Sequence, residues 1–520
     1  MTVEITRALV LAHSYRDSVE MMRLANLIER EPGVRQVAAV MGTPANRALL
    51  EPAGLLVGAA AEAGPDDLII AVRAIDETTA SAALERAQTA LAGPPESVDE
   101  PGTDDPPTSR SLDDALTALP QANLAMISVP GPYAAAEALK ALKRGLNVFL
   151  FSDNVTVDDE VTLKRLANQR GLLLMGPDCG TAIIDGVPIG FANVVRHGPI
   201  GLVSASGTGL QAVTCAIDRL GSGVSQAIGV GGRDLSAAVG GMMMCQGIER
   251  LGQDPATEVV VLISKPPSPE GLANVVQTAA AIPKPVVACF IGARPEALGE
   301  SGLHQATTLE EAARLAVSLL PDASGPDAQA DQLDRDARAA TVTPLCFKRG
   351  QRFVRGLYAG GTLAHEAYHL LESRLSAVTE AEAGRSSELH GHGVVDLGAD
   401  AFTVGRAHPM IDARLRSEWI VATAHDPSVA VILFDVILGF GSNPDPAGAI
   451  QTAIRDAQQV AAAAGRPLAF IGSVCGTQAD PQGLATQEDT LREAGVWVAP
   501  SNAAAVRWAL AMLGEDANDA

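Results

Sequence analysis

The stretch GPIGLVSASGTGLQAVTCAIDRLGSGVSQAIGVGGRDLS at residues 198–236 constrains this chain more than any other. An apolar run, Ile200 to Val203, meets a loop of small residues, Ser204-Ala205-Ser206-Gly207-Thr208-Gly209. Apolar residues then recur at Leu210, Val213, Ala216, Ile217 and Leu220, the spacing of one helix face. A second apolar run ends in another glycine loop, Gly229-Val230-Gly231-Gly232-Arg233-Asp234. Strand, turn, helix and strand in this order build a parallel sheet. Ligands of such sheets sit at the carboxyl ends of the strands. A helix N-terminus there offers unpaired backbone N–H groups to an anion. Each loop alone reads equally well as a tight strand-to-helix turn, because short glycine motifs are weakly specific. Two such loops at adjacent strand ends point to one phosphate- or carboxylate-binding site.

The same alternation runs through the chain. Residues 1–92 form a small α/β unit, with strand candidates at 8–12, 37–41 and 68–72. In it, Thr43 is placed to cap a helix opening at Pro44, with Arg47 on the first turn as a solvated or anion-binding residue. Residues 93–110 and 322–343 are acidic, poor in large apolar residues, and read as linkers. Residues 111–197 alternate strand and helix, with polar strand ends at Ser128-Val129-Pro130-Gly131, Ser152-Asp153-Asn154 and Gly176-Pro177-Asp178-Cys179. Cys179 is a small buried thiol or a nucleophile. In residues 198–321, Lys265 follows a buried strand, and His304 stands in a loop before a helix. Residues 344–515 repeat the theme, with Gly360-Gly361-Thr362 at a turn like the one at Ser206. There Arg406, His408 and Asp412 share one loop, and Asp396 and Asp435 each follow an apolar strand, as groups to orient basic residues or to serve as acid or base. Their spacing is not that of a metal motif.

Length and composition narrow the class. A chain of 520 residues holds roughly two to four domains. A formal charge of −23 argues against nucleic acid or an anionic membrane surface as partner. It leaves small anionic substrates open, since local residues set the field of a site. The six cysteines show no CxxC pair and no cluster with histidine, which suits reduced thiols. With no signal-peptide layout at the N-terminus, the expected location is cytoplasmic.

Several motifs carry a family likeness. MGPDCGT, SASGTG and GGRDLS resemble the α subunit of succinyl-CoA synthetase, and LYAGGTLA, DLG and DVILGFG resemble the ligase part of its β subunit. With RDSV, MGTPANRALL, FSDNVT, SKPP and TVGRAHPMID added, the chain resembles the FdrA family nearly end to end. The resemblance implies several doubly wound α/β domains. These are a Rossmann-like, CoA-binding-type domain at 111–197 and two flavodoxin-like ligase domains at 198–321 and 344–515, behind the small N-terminal domain. It implies a phosphoryl site between two facing helix N-termini, made of Ser206, Gly207, Thr208, Gly209 and Gly232 on one side and Gly360, Gly361 and Thr362 on the other. Arg233 and Arg406 would hold carboxylate or phosphate, and His408 would carry a proton. The synthetase histidine falls near His304 by spacing, but here the sequence reads LHQA. The opening glycine-loop strand of a CoA domain and an ATP-grasp domain are not apparent, so CoA is a weaker expectation than phosphate. The resemblance also implies a subunit of an oxamate carbamoyltransferase in allantoin degradation. Its reaction is taken as oxamate and phosphate going to oxalate and carbamoyl phosphate. Partner protein subunits are implied, and a homo-oligomer is allowed. Two alternatives stand beside this reading: an acyl-CoA synthetase, and a non-catalytic scaffold subunit.

Overall fold

Apolar runs in the first 92 positions produce three strands, of which only the central one is buried on both faces. The computed structural model describes residues 5–16, 18–29, 31–51, 53–92, 109–293, 298–299, 301–321, 345–384, 389–403 and 407–514. They fall into two compact units, Met1–Ala118 with Thr403–Ala407, and Leu119–Phe402 with His408–Ala520.

In the first unit the elements run β1 (Ile5–Leu11), α1 (Ser18–Glu29), β2 (Val34–Met41), α2 (Pro44–Leu50), β3 (Leu68–Ala74), α3 (Glu77–Ala92) and α4 (Leu112–Ala118). The sheet is antiparallel in the order β1-β3-β2. β3, LIIAVRA, is nearly all apolar and takes the centre, where both faces are covered. Leu68, Ile70 and Val72 face α1 and α3, while Ile69 and Ala71 face a second cluster with Leu50 and Leu55. Thr43 caps α2 by accepting from Asn46 N. Arg47 donates to the carbonyl of Ala61 at 2.8 Å, so a backbone oxygen is its partner.

The second unit opens with β4 (Leu124–Ile127), α5 (Gly131–Lys143), β5 (Asn147–Leu150), α6 (Val157–Gln169) and β6 (Leu174–Met175). These strands form a parallel sheet, β4-β5-β6. Then follow β7 (Thr181–Ile184), β8 (Val187–Gly190), β9 (His197–Ser204), α7 (Gly207–Arg219), β10 (Val224–Gly229), α8 (Met242–Gln253), β11 (Val259–Ser264), α9 (Pro269–Ala281), β12 (Val286–Phe290), β13 (His304–Gln305) and α10 (Leu309–Ser318). Their sheet has the order β13-β12-β11-β9-β10-β7-β8. The hairpin β7–β8 lies in the 111–197 stretch of the sequence, yet it pairs antiparallel with β10. Asp185 and Gly186, both at positive φ, make its turn, the Asp-Gly pair that two-residue hairpins favour.

The remaining elements are β14 (Phe353–Tyr358), α11 (Gly361–Glu372), β15 (Val378–Ala381), β16 (His392–Asp396), α12 (Arg414–Ala424), β17 (Val429–Ile437), α13 (Pro446–Ala463), β18 (Ala469–Cys475), α14 (Leu484–Glu493), β19 (Trp497–Ala499) and α15 (Asn502–Met512). All six strands are parallel, in the order β15-β16-β14-β17-β18-β19. The fold is therefore mixed α/β, with several parallel Rossmann-like sheets and a small N-terminal α/β region. α7, α10, α11 and α15 join residues of both large sheets in one core, which includes Leu210, Ala313, Ala364 and Ala509. Alanine-rich faces let these helices approach closely. Among the described residues, no helix is long and apolar enough to cross a membrane.

A buried ionic group ties α6 to the second glycine loop. Lys164 Nζ sits 2.8 Å from both Glu160 Oε1 and Asp234 Oδ1, and all three side chains are sealed from solvent. Asp234 also accepts from Met244 N at the start of α8. Asp234→Ala leaves Lys164 and the α8 amides short of a partner. It should cost about 3–5 kcal/mol, read as a lowered midpoint in thermal or urea unfolding.

Candidate functional site

Two of the sequence-predicted loops meet. Ser206 caps α7, its Oγ accepting from Gly209 N at 2.9 Å. Gly360 begins α11 with no side-chain cap. Ser206 Oγ and Thr362 Oγ1 are 2.5 Å apart, so the two helix N-termini are joined hydroxyl to hydroxyl. A Cβ on Gly209 would stand 3.2 Å from Thr362 Cγ2, and one on Gly360 would stand 3.1 Å from Thr208 Cβ. The first-turn amides of Gly207 and Thr208 on one side, and Gly361 and Thr362 on the other, lack intrahelical partners by the geometry of a helix start. Gly232 stands exposed beside this junction, nearest to the carbonyl of Ala205.

The α11 end is already supplied with negative charge. Asp435 lies inside β17 and is fully buried. It accepts from Ala359 N at 2.8 Å and Gly360 N at 2.7 Å, and Arg416 pairs with it at 3.1 Å. Burial pushes this carboxyl above its ordinary value, and Arg416 and the two amides pull the other way. Asp396, at the end of β16, packs against the first helical residue. A Cβ on Gly361 would come within 2.4 Å of Asp396 Oδ2, so only glycine fits there. Burial, with the nearby carboxylates of Asp435 and Glu382, pushes Asp396 up to about 6, against the pull of Gly398 N and Lys265. Lys265 follows β11 and pairs loosely with Glu382 at 3.7 Å. The cation that the sequence placed after a buried strand thus acts electrostatically on Asp396.

His408 packs on the loop after β16, where a Cβ on Gly398 would lie 2.5 Å from its Nε2. Its Nδ1 accepts from Met410 N at 3.2 Å, which puts the ring proton on Nε2. Burial and the neighbouring Arg416 lower its pKa to about 4, so it is neutral at pH 7. Arg233 is committed elsewhere: Nε pairs with Glu160 at 2.9 Å and Nη2 donates to the carbonyl of Val155 at 2.8 Å. Arg406 lies outside the described residues. Asp412 is taken by Arg414. His304 is exposed on the edge strand β13. Cys179 is buried and held to the carbonyl of Thr181, and burial pushes its thiol up to about 12, so it acts as a packing residue.

Sequence reasoning missed two groups. Arg416, which anchors Asp435, was hidden in the helical run RLRSEW. His365 and His369, one turn apart on α11, bring their Nε2 atoms to 3.1 Å, and His365 Nδ1 meets Glu380 at 2.9 Å. Their i, i+4 spacing was visible. Asp178 faces Asp153 and Asp400; desolvation by surrounding protein and those charges push it up to about 7, although it reaches solvent. Among the described residues, no group of three or more His, Cys, Asp or Glu is arranged to hold a metal ion.

Asp396 gives a sign-definite test. Its folded pKa is raised, so its contribution to stability is full below about 3.8 and is lost as pH rises through about 6. Asp396→Asn should raise the melting temperature at pH 8 and leave it nearly unchanged at pH 3.5. The rise from 3.8 to about 6 sets a ceiling on the order of 3 kcal/mol. An equal effect at both values would show that this carboxyl does not titrate as described.

The chain is similar to several known proteins. Residues 357–512 match a CoA-ligase family model, and residues 1–106 match the AllF heavy metal-associated domain. The chain is 39% identical over 509 residues to the uncharacterized protein YahF of Escherichia coli, covering 96% of this chain and 97% of that one. It is 33% identical over 180 residues to the mitochondrial ADP-forming succinate–CoA ligase subunit alpha-2 of Trichomonas vaginalis, covering 33% of this chain and 57% of that one. A similar match, 33% over 150 residues, joins it to the alpha subunit from Aquifex aeolicus, with 28% and 48% covered. Among solved structures, the dinucleotide-forming acetyl-coenzyme A synthetase 1 of Ca. Korarchaeum cryptofilum aligns over 76% of this chain and 82% of that one, at 15% identity and a TM-score of 0.32.

Proposed function

We propose, since this chain belongs to the FdrA-like family of succinyl-CoA-ligase-related proteins with an AllF-type N-terminal domain, that it is a subunit of an oxamate carbamoyltransferase. The observation that carries the reading is the junction of two helix N-termini at Ser206 and Thr362, with Asp396 near its titration point beside it. Written as oxamate and phosphate giving oxalate and carbamoyl phosphate, the exchange does not balance in carbon. A balanced reaction starts from N-carbamoyl oxamate. A phosphate oxygen bonds to the carbamoyl carbon, the bond from that carbon to nitrogen breaks, and the departing nitrogen takes a proton to become oxamate.

This chain offers groups for each part. The free amides of α7 and the Ser206 and Thr362 hydroxyls suit an anion, since helix ends and oriented N–H groups stabilise negative charge. Lys265 adds a cation within electrostatic reach of Asp396. Asp396, half protonated near pH 6, is the candidate proton donor to the leaving nitrogen. His408 is neutral at working pH and suits a positioning role more than a donating one. Arg233, tied to Glu160, faces the crowded carboxyl of Asp178 and favours its charged form, against burial and the neighbouring carboxylates.

A second reading is favoured by the CoA-ligase match over 357–512: transfer of an acyl group to or from CoA. The same helix ends would then hold a phosphoryl group. One experiment separates the readings. Incubate the full chain, alone and with candidate partner subunits, with N-carbamoyl oxamate and phosphate, and follow carbamoyl phosphate. Turnover is the expected result. No turnover, together with CoA-dependent ADP formation, would overturn the carbamoyl reading. Ser206→Ala combined with Thr362→Val should lower kcat by about 10²-fold or more with assembly retained. Unchanged turnover in that variant would place the chemistry on a partner and leave this chain a scaffold.

A further inference from the structure

Beyond its first turn, α11 carries a pair of histidines that the helix junction does not use. The run reads His365-Glu366-Ala367-Tyr368-His369, and an i, i+4 spacing sets both rings on one side of the helix. Their Nε2 atoms stand 3.1 Å apart, with the rings perpendicular and the centroids 4.4 Å apart. A straight N–H···N bond of that length would separate the centroids by about 5.4 Å. The contact is therefore bent, as two lone pairs converging on one ion require.

Each ring has a carboxylate behind it. His365 Nδ1 lies 2.9 Å from Glu380 Oε1, and His369 Nδ1 lies 3.5 Å from Glu372 Oε2. Glu372 also accepts from the Tyr368 hydroxyl at 2.7 Å. An ionised carboxylate only accepts, so each neutral ring carries its proton on Nδ1 and keeps a lone pair on Nε2. The other tautomer of His369, donating from Nε2 to His365, would turn a bare Nδ1 toward Glu372. Two lone pairs at 3.1 Å repel unless a cation stands between them. At a metal–nitrogen distance of about 2.0–2.1 Å, that separation subtends roughly 95–100° at the ion, between octahedral and tetrahedral values. A carboxylate on the far nitrogen is the usual partner of a metal-bound histidine. Gly292, at positive φ, lets the His369 ring sit where it does, since a Cβ there would collide with Nε2. The two side chains are 12% and 30% exposed, so neither is sealed from solvent.

We propose that His365 and His369 chelate one divalent transition-metal ion of the zinc class through both Nε2 atoms, with Glu380 and Glu372 fixing the rings. Imidazole suits Zn²⁺, Ni²⁺ or Cu²⁺, whereas Mg²⁺ and Ca²⁺ take oxygen ligands. Among the described residues no third His, Cys, Asp or Glu completes a cluster, so water or a small anion fills the remaining positions. Glu366 stands between the histidines in sequence but is turned into the core, where it accepts from Leu309 N and Asn502 Nδ2. It is therefore not the general base that the same H-E-x-x-H spacing supplies in metalloproteases. The site does not depend on the carbamoyl reading.

Titration of the untagged, metal-free full chain with Zn²⁺ in excess Mg²⁺ tests it. Saturable binding is expected, weakened at least tenfold by His365→Ala or His369→Ala and about 10–100-fold by Glu380→Gln, which leaves both ligands in place. His365→Gln and His369→Gln serve if the alanine variants do not fold. Cu²⁺ is the second probe: its paramagnetic resonance spectrum should show coupling to two nitrogens in the native chain and to one in either histidine variant. Absence of saturable Zn²⁺ binding overturns the proposal and leaves a shared proton as the cation between the rings. Equal affinity in the native chain and both histidine variants also overturns it, because the ion then sits elsewhere. Coupling of Cu²⁺ to a single nitrogen in the native chain does the same.

Discussion

Two helix starts of like partial charge are held one hydrogen bond apart by Ser206 and Thr362. Each carries roughly half a positive charge, so the contact is repulsive unless negative groups stand by. The chain supplies them on the α11 side. Asp435 accepts from the amides of Ala359 and Gly360, and Asp396 presses on Gly361. Asp435 is itself held down by Arg416, which also bonds the Asp435 carbonyl at 2.6 Å. A buried ion pair at the centre of β17 is costly on its own. Here it is retained because removing either member would leave the junction without its counter-charge. The α7 side has no comparable carboxylate among the hydrogen bonds described for its cap, whose acceptor is the Ser206 hydroxyl. The junction is therefore asymmetric, and its unmet positive charge lies on α7.

That asymmetry explains which parts of the molecule could be read in advance. The loops at 204–209 and 360–362 were legible because strand-to-helix turns need small residues and caps, and those residues stand together in the sequence. The three parallel or mixed sheets were legible from apolar runs separated by helical spacing. The edge hairpin at 181–190 was not read in advance. Its Asp-Gly turn was visible, but which sheet it would join depended on β10, some forty residues away. The charges around the junction were only half legible. Asp396 and Asp435 drew attention by following apolar strands, although Asp435 lies inside β17. Arg416 did not, because a cation in a helix usually points to water. Arg233 looked free in the sequence and is bound to Glu160, a partner found only when α6 packs against the second glycine loop. Pairing across elements is a property of the fold, and spacing along one element cannot show it.

The carboxylates beside the junction also set what an anion would do on arrival. Asp396 is raised by burial and by other carboxylates and is restrained by Lys265. An anion at the α7 amides would add negative charge to that balance and draw on the same lysine. Both changes favour the protonated form of Asp396. By linkage, protonating Asp396 in turn removes the charge that competes for the helix ends and tightens the anion. An anion at this junction would therefore bind together with a proton. On the proposed reading, a chain carrying a net −23 would hold a small anion without a cluster of basic residues. Helix amides would supply the charge it lacks, and Asp396 would give up its own charge as the anion came in.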